Sequence, residues 1–169
     1  MAVFVCELTA GAISGAARLA MGKARRAERL GYFADGIRGA EDPKRAGMRN
    51  LERMEKALKL RPDPDGEERA LLDMIRAMLG SDSDPDGYAR ERKEEAEAEL
   101  KTARAACLKG LEFARGAFTD PHVMTVFLAE LKACDPAKRL LKEELAALEA
   151  DFGAEKRAEA LRKRLSGED

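Results

Sequence analysis

Five Asp-Pro dipeptides divide this chain: Asp42-Pro43, Asp63-Pro64, Asp84-Pro85, Asp120-Pro121 and Asp135-Pro136. An aspartate side chain accepts hydrogen bonds from the free N–H groups that open a helix. Proline suits the first turn, where its missing N–H costs nothing. Each dipeptide therefore reads as a helix start. Little material is left for strands, because Ile, Val and Thr supply only 11 of 169 residues. Alanine supplies 31 and leucine 20, and both favour helix.

The expected fold class is all-α: about six helices forming an antiparallel bundle around one long central helix, residues 86–118. The spacing predicts helices over Leu8–Phe33, Pro43–Leu60, Glu67–Leu79, Asp86–Phe118, Pro121–Ala133 and Pro136–Ala150. A short last helix is expected over Ala154–Leu165, behind Gly153 as a C-cap. Gly31, Gly36 and Gly39 predict a break after the first helix. The long helix is the clearest element. Ala96, Leu100, Ala103, Cys107, Leu111, Ala114 and Phe118 recur at intervals of three and four, which keeps one face apolar. Val123, Phe127, Leu131 and Cys134, then Leu141, Leu145, Leu148 and Phe152, form stripes that would pack against it. Residues 1–169 are expected to form a single helical domain, with residues 1–40 as a helix that either completes the bundle or projects to dock a partner.

Charge is dense and uneven. Asp, Glu, Lys and Arg make up 37% of the chain, yet 31 basic residues nearly balance 32 acidic ones. Residues 1–62 carry 13 Lys/Arg against 7 Asp/Glu, whereas residues 63–99 carry 5 against 13. The simplest expectation is that these segments face one another in the fold or across a dimer. The alternative is a surface that tracks phosphates on nucleic acid or lies on an anionic membrane. It would use Arg18, Arg25 and Arg29, followed by Lys44, Arg45, Arg49, Arg53, Lys56, Lys59 and Arg61, with Phe4, Leu8 and Ile13 inserted into lipid. Acidic residues dilute that patch and no aromatics interleave it.

The chemistry-bearing residues are few. Cys6, Cys107 and Cys134 show no paired spacing, which points to buried thiols in a reducing compartment. His122 is the only histidine and falls in a predicted first turn. No zinc pattern and no phosphate loop are present. The run Asp82-Ser83-Asp84-Pro85-Asp86-Gly87 matches the first half of a calcium loop, with oxygens at positions 1, 3 and 5 and glycine at 6. Position 12 should be a bidentate glutamate and is Lys93. Asp82, Asp84 and Asp86 are therefore a weak calcium candidate, and neither a cofactor nor a catalytic residue is expected.

The first helix draws the functional expectation. Ala17, Ala20, Ala24 and Ala27 form a stripe of small residues, and Gly11 and Gly15 add a small-xxx-small step. Small faces allow helices to approach closely, which reads first as tight packing inside this chain and second as a docking face for a partner helix or a second copy. Gly11, Gly15, Ala17, Ala20 and Ala24, with Arg18, Arg25 and Arg29, are the expected partner-binding residues. Leu71, Met74, Ile75 and Met78 are a further apolar face, read first as core. The expected partner is another protein or a second copy of the chain, in a non-enzymatic adaptor, chaperone-like or regulatory role. The longest uncharged run, Leu8 to Ala17, is about half the ~20 residues a membrane span needs. No basic segment precedes that run, so no Sec signal is read and the cytoplasm is the expected location, with export by another route left open.

Overall fold

The computed structural model describes residues 2–166, so the expected domain limits at 1 and 169 lie outside the described residues. Seven helices and no strand are present among them: α1 (Ala2–Ile37), α2 (Pro43–Leu58), α3 (Glu67–Gly80), α4 (Pro85–Ala117), α5 (Pro121–Ala133), α6 (Asp135–Leu140) and α7 (Lys142–Ser166). The fold is all-α, and the long α1 packs against α4 and α5.

The aspartates of four Asp-Pro dipeptides accept backbone N–H groups at or near a helix start, and the fifth is no cap. Asp42 and Asp120 cap α2 and α5, accepting from the Arg45 and His122 N–H groups at 3.0 and 2.8 Å. Asp84 accepts from the Gly87 N–H at 2.8 Å as α4 begins. Asp63 acts from further off. Its carboxylate accepts from the N–H groups of Glu68 and Arg69, across a turn closed by Gly66 at φ 67°. Glycine carries no Cβ penalty at that left-handed angle. At the fifth site the cap is Cys134, and Asp135 lies in the first turn of α6.

Two glycine expectations fail. Gly153 lies inside α7, and the helix runs through it without a cap. The break falls earlier, at Leu141, whose φ of −119° and ψ of 27° leave the helical region between α6 and α7. Gly31 and Gly36 likewise lie within α1, which ends at Ile37; only Gly39 falls in the turn that follows.

The chain groups into two compact units, one of Met1–Leu19 with Thr102–Asp169 and one of Ala20–Lys101. In the first unit, Cys6, Ala10, Ile13 and Ala17 of α1 join Cys107, Leu111 and Ala114 of α4 in a buried core. Phe127 at its centre is fully buried and meets the Phe118 ring at a centroid distance of 5.4 Å. The predicted stripes of residues 123–134 and 141–148 are buried in this core, with Phe152 packed against its edge. Gly110 explains how α1 and α4 approach: a Cβ there would lie 2.9 Å from Ile13 Cδ1.

In the second unit, Leu30, Ala34 and Ile37 of α1 pack with Leu51, Leu71, Ile75 and Met78. Leu71, Ile75 and Met78 are buried and Met74 packs against them, so this face is core rather than docking surface. Gly47 admits Leu79, whose Cδ2 would lie 2.5 Å from an added Cβ.

Candidate functional site

Over residues 4–19, α1 is apolar on two sides, and only one of them enters the core of the first unit. At 3.6 residues per turn each step rotates the side chain by about 100°. Cys6, Ala10, Ile13 and Ala17 therefore share the face that enters the first core. Phe4, Leu8, Gly11, Gly15 and Leu19 share the opposite one, spaced 4, 3, 4 and 4 residues apart. That outward face is bare: Phe4, Leu8 and Leu19 are 62%, 58% and 64% exposed. Exposed Leu and Phe occur singly on most surfaces; here three of them share one helix face.

The small-residue reading therefore divides. Ala17 and Ala20 are buried, and Ala24 is half-buried, so the alanine stripe is spent on packing inside its own units. Gly11 and Gly15 are exposed, with nothing within 4 Å of an added Cβ. The sequence stripe joined positions that a helix separates: Gly15 and Ala17 are two residues apart, which is roughly 200°. Ile13 is in the core and offers no side chain to a membrane or partner.

By length and composition alone, a stretch within Val3–Ile37 is apolar enough to cross a membrane, and 28% of it is buried. The count of uncharged residues missed it because Glu7 and Arg18 interrupt the run. Cys6, Ala10, Ile13 and Ala17 commit one side of α1 to the first core, and Leu30, Ala34 and Ile37 are buried in the second.

The basic residues also divide. Arg29 donates from both terminal nitrogens to Glu68, at 2.8 and 2.9 Å. That pairing holds the Glu68 carboxyl below its ordinary value. Arg26 pairs with Glu67 at 2.7 Å, Lys23 with Glu99 at 2.6 Å, and Arg38 with both oxygens of Asp86. Lys23, Arg26, Arg29 and Arg38 of the basic first third therefore meet the acidic segment inside the second unit. Arg25 is exposed, and Arg18 lies beside Cys134. On α2, Arg45, Arg49, Arg53 and Lys56 fall on one exposed side and form no ion pair among the described residues.

The calcium reading does not assemble. Asp84 caps its own helix and Asp86 sits in the first turn of α4, taken by Arg38, while Asp82 is exposed. A calcium loop needs these residues before a helix, and α4 already starts at Pro85. Among the described residues no three His, Cys, Asp or Glu side chains are placed to hold a metal together.

The three thiols are buried in the first unit. Burial pushes Cys6 and Cys107 above the ordinary thiol value. Burial also pushes Cys134 up, but hydrogen bonding from the Ala137 backbone, with Ser14 and Arg18, outweighs it and holds that thiol below. His122 is exposed, as its first-turn position predicted.

An open groove of about 520 Å³ in the second unit is lined by Lys23, Arg26, Met74, Tyr88, Arg92 and Glu99, among others. Its charges are used internally: Arg92 pairs with Glu95 at 2.8 Å and lies over the Tyr88 ring. No protein family, curated protein or solved structure matches this chain.

Proposed function

We propose that the chain is a non-enzymatic helical interaction module that docks another protein, or a second copy of itself, through the outward face of α1. The observation that carries this reading is the exposed run Phe4, Leu8 and Leu19 with Gly11 and Gly15 between them. Keeping three large apolar side chains in water forgoes about 1.5–3 kcal/mol each. A partner helix seated on the glycines would recover much of that, as apolar helix faces do in groove recognition.

The test is capture of the tagged chain from its native host at low and high salt, beside a Leu8→Glu variant. Apolar docking does not weaken steeply with salt, so the bound protein is expected to persist and to be lost with the variant. Identical recovery by both chains would contradict the reading.

A second reading has a specific observation behind it. Arg45, Arg49, Arg53 and Lys56 line one side of α2 without ion-pair partners among the described residues, which suits nucleic acid or an anionic membrane surface. This reading moves the basic site from α1, where Arg29 is paired, to α2. Retention that falls steeply with salt and with Arg49→Glu supports it; unchanged retention removes it.

A further inference from the structure

We propose that the occupant of the outward face of α1 is a second copy of this chain, with the two α1 helices crossing antiparallel; this rests on the docking reading above. Between Leu8 and Leu19 the face is nearly symmetric about its own middle; Phe4 lies outside that symmetric stretch. Gly11 and Gly15 flank residue 13, and Leu8 and Leu19 stand outside them at almost equal distances. A two-fold axis at that midpoint places Gly11 of one copy over Gly15 of the other and sets Leu8 beside Leu19. Such self-complementarity is what a closed two-fold interface requires.

Charge selects the direction. Glu7 and Arg18 lie on the same flank of this face, 11 residues or about 16 Å apart. Both are exposed, and neither forms an ion pair among the described residues. In an antiparallel pair like flanks meet, so Glu7 of each copy faces Arg18 of the other and two ion pairs form. In a parallel pair this flank meets the opposite one, which carries Val5, Ala12 and Ala16, and both charges go unmatched.

The glycines agree. In mid-helix each costs about 1 kcal/mol relative to alanine. Gly47 and Gly110 admit Leu79 and Ile13 of their own chain, whereas Gly11 and Gly15 admit nothing. Gly31 and Gly36, also open, fall on different sides of α1. Two bare glycines one turn apart let a second helix approach closely.

The experiment is sedimentation velocity on the purified full chain over roughly 1–100 µM. A dimer is expected. Glu7→Arg or Arg18→Glu alone should weaken it about tenfold, by turning two attractions into repulsions, and the double exchange should return it to within about threefold. Because Arg18 also adjoins Cys134, Gly15→Leu serves as an independent probe. It meets nothing in its own chain, so melting should not fall, but dimerisation should weaken by about tenfold or more. A wild-type chain that stays monomeric overturns the proposal, as does a dimer insensitive to Gly15→Leu or a double exchange that restores nothing. A monomer that binds phosphatidylcholine vesicles through Leu8 overturns it in favour of lipid. A monomer that still captures a different, Leu8-dependent protein overturns the second copy and leaves the docking reading standing.

Discussion

Leu8 and Ile13 stand five residues apart on one helix and meet opposite surroundings. Ile13 is buried against Gly110, and Leu8 is more than half exposed. Ile13→Ala should cost about 2–5 kcal/mol of unfolding free energy, the range for emptying a packed site. Leu8→Gln should change stability by less than about 0.5 kcal/mol, because its side chain touches little of its own chain. Urea titration of the two variants checks both. The glycines divide in the same way. Gly47→Ala forces Leu79 to move and should lose about 1–3 kcal/mol, whereas Gly11→Ala should gain up to about 1 kcal/mol, read as opposite shifts in thermal midpoint. None of this residue-level contrast was legible in the sequence. Cys6, Ala10, Ile13 and Ala17 on one side and Phe4, Leu8 and Leu19 on the other are all apolar or small, so hydropathy does not say which side turns inward.

Helix starts were legible because capping is local. An aspartate and the N–H groups it receives lie within a few residues, so Asp42, Asp84 and Asp120 act wherever the helix later packs. Asp42→Ala should cost about 1 kcal/mol, measured by thermal melting. Helix ends were less legible. Gly153 resembles a stop, yet nothing crowds it, and α7 continues. Leu141 carries no breaker signal, yet it turns out of the helix with its side chain fully buried. The ion pairs that tie α1 to α3 and α4 add a pH dependence. Hydrogen bonds from Arg29 and Arg38 hold Glu68 and Asp86 below their ordinary values. A lowered carboxyl contributes stability that is complete above its unfolded value and fades as pH falls through the folded one. The thermal midpoint should therefore drop below about pH 4.5, and Arg29→Ala should flatten part of that drop. The Arg29–Glu68 pair is nearly half exposed, so its share is under about 1 kcal/mol.

At the scale of the molecule, each unit has its own core: Phe127 and Leu131 anchor one, Ile75 and Met78 the other. The charge asymmetry along the sequence was a partial guide to pairing within the second unit: Lys23, Arg26, Arg29 and Arg38 pair with the acidic run, and among the described residues the basic residues of α2 do not. Arg26 and Arg29 are committed to glutamates there, whereas Arg45, Arg49, Arg53 and Lys56 of α2 are not. The outward face of α1 leaves Phe4, Leu8 and Leu19 exposed, and the central claim is that another protein surface covers it. The most direct measurement is site-specific photo-cross-linking in the native host, with a benzophenone side chain at position 8 and a control at position 109, an exposed site on α4. A discrete protein adduct at position 8 and none at 109 is the predicted result. Lipid adducts at position 8, or equal labelling at the two sites, would contradict the account.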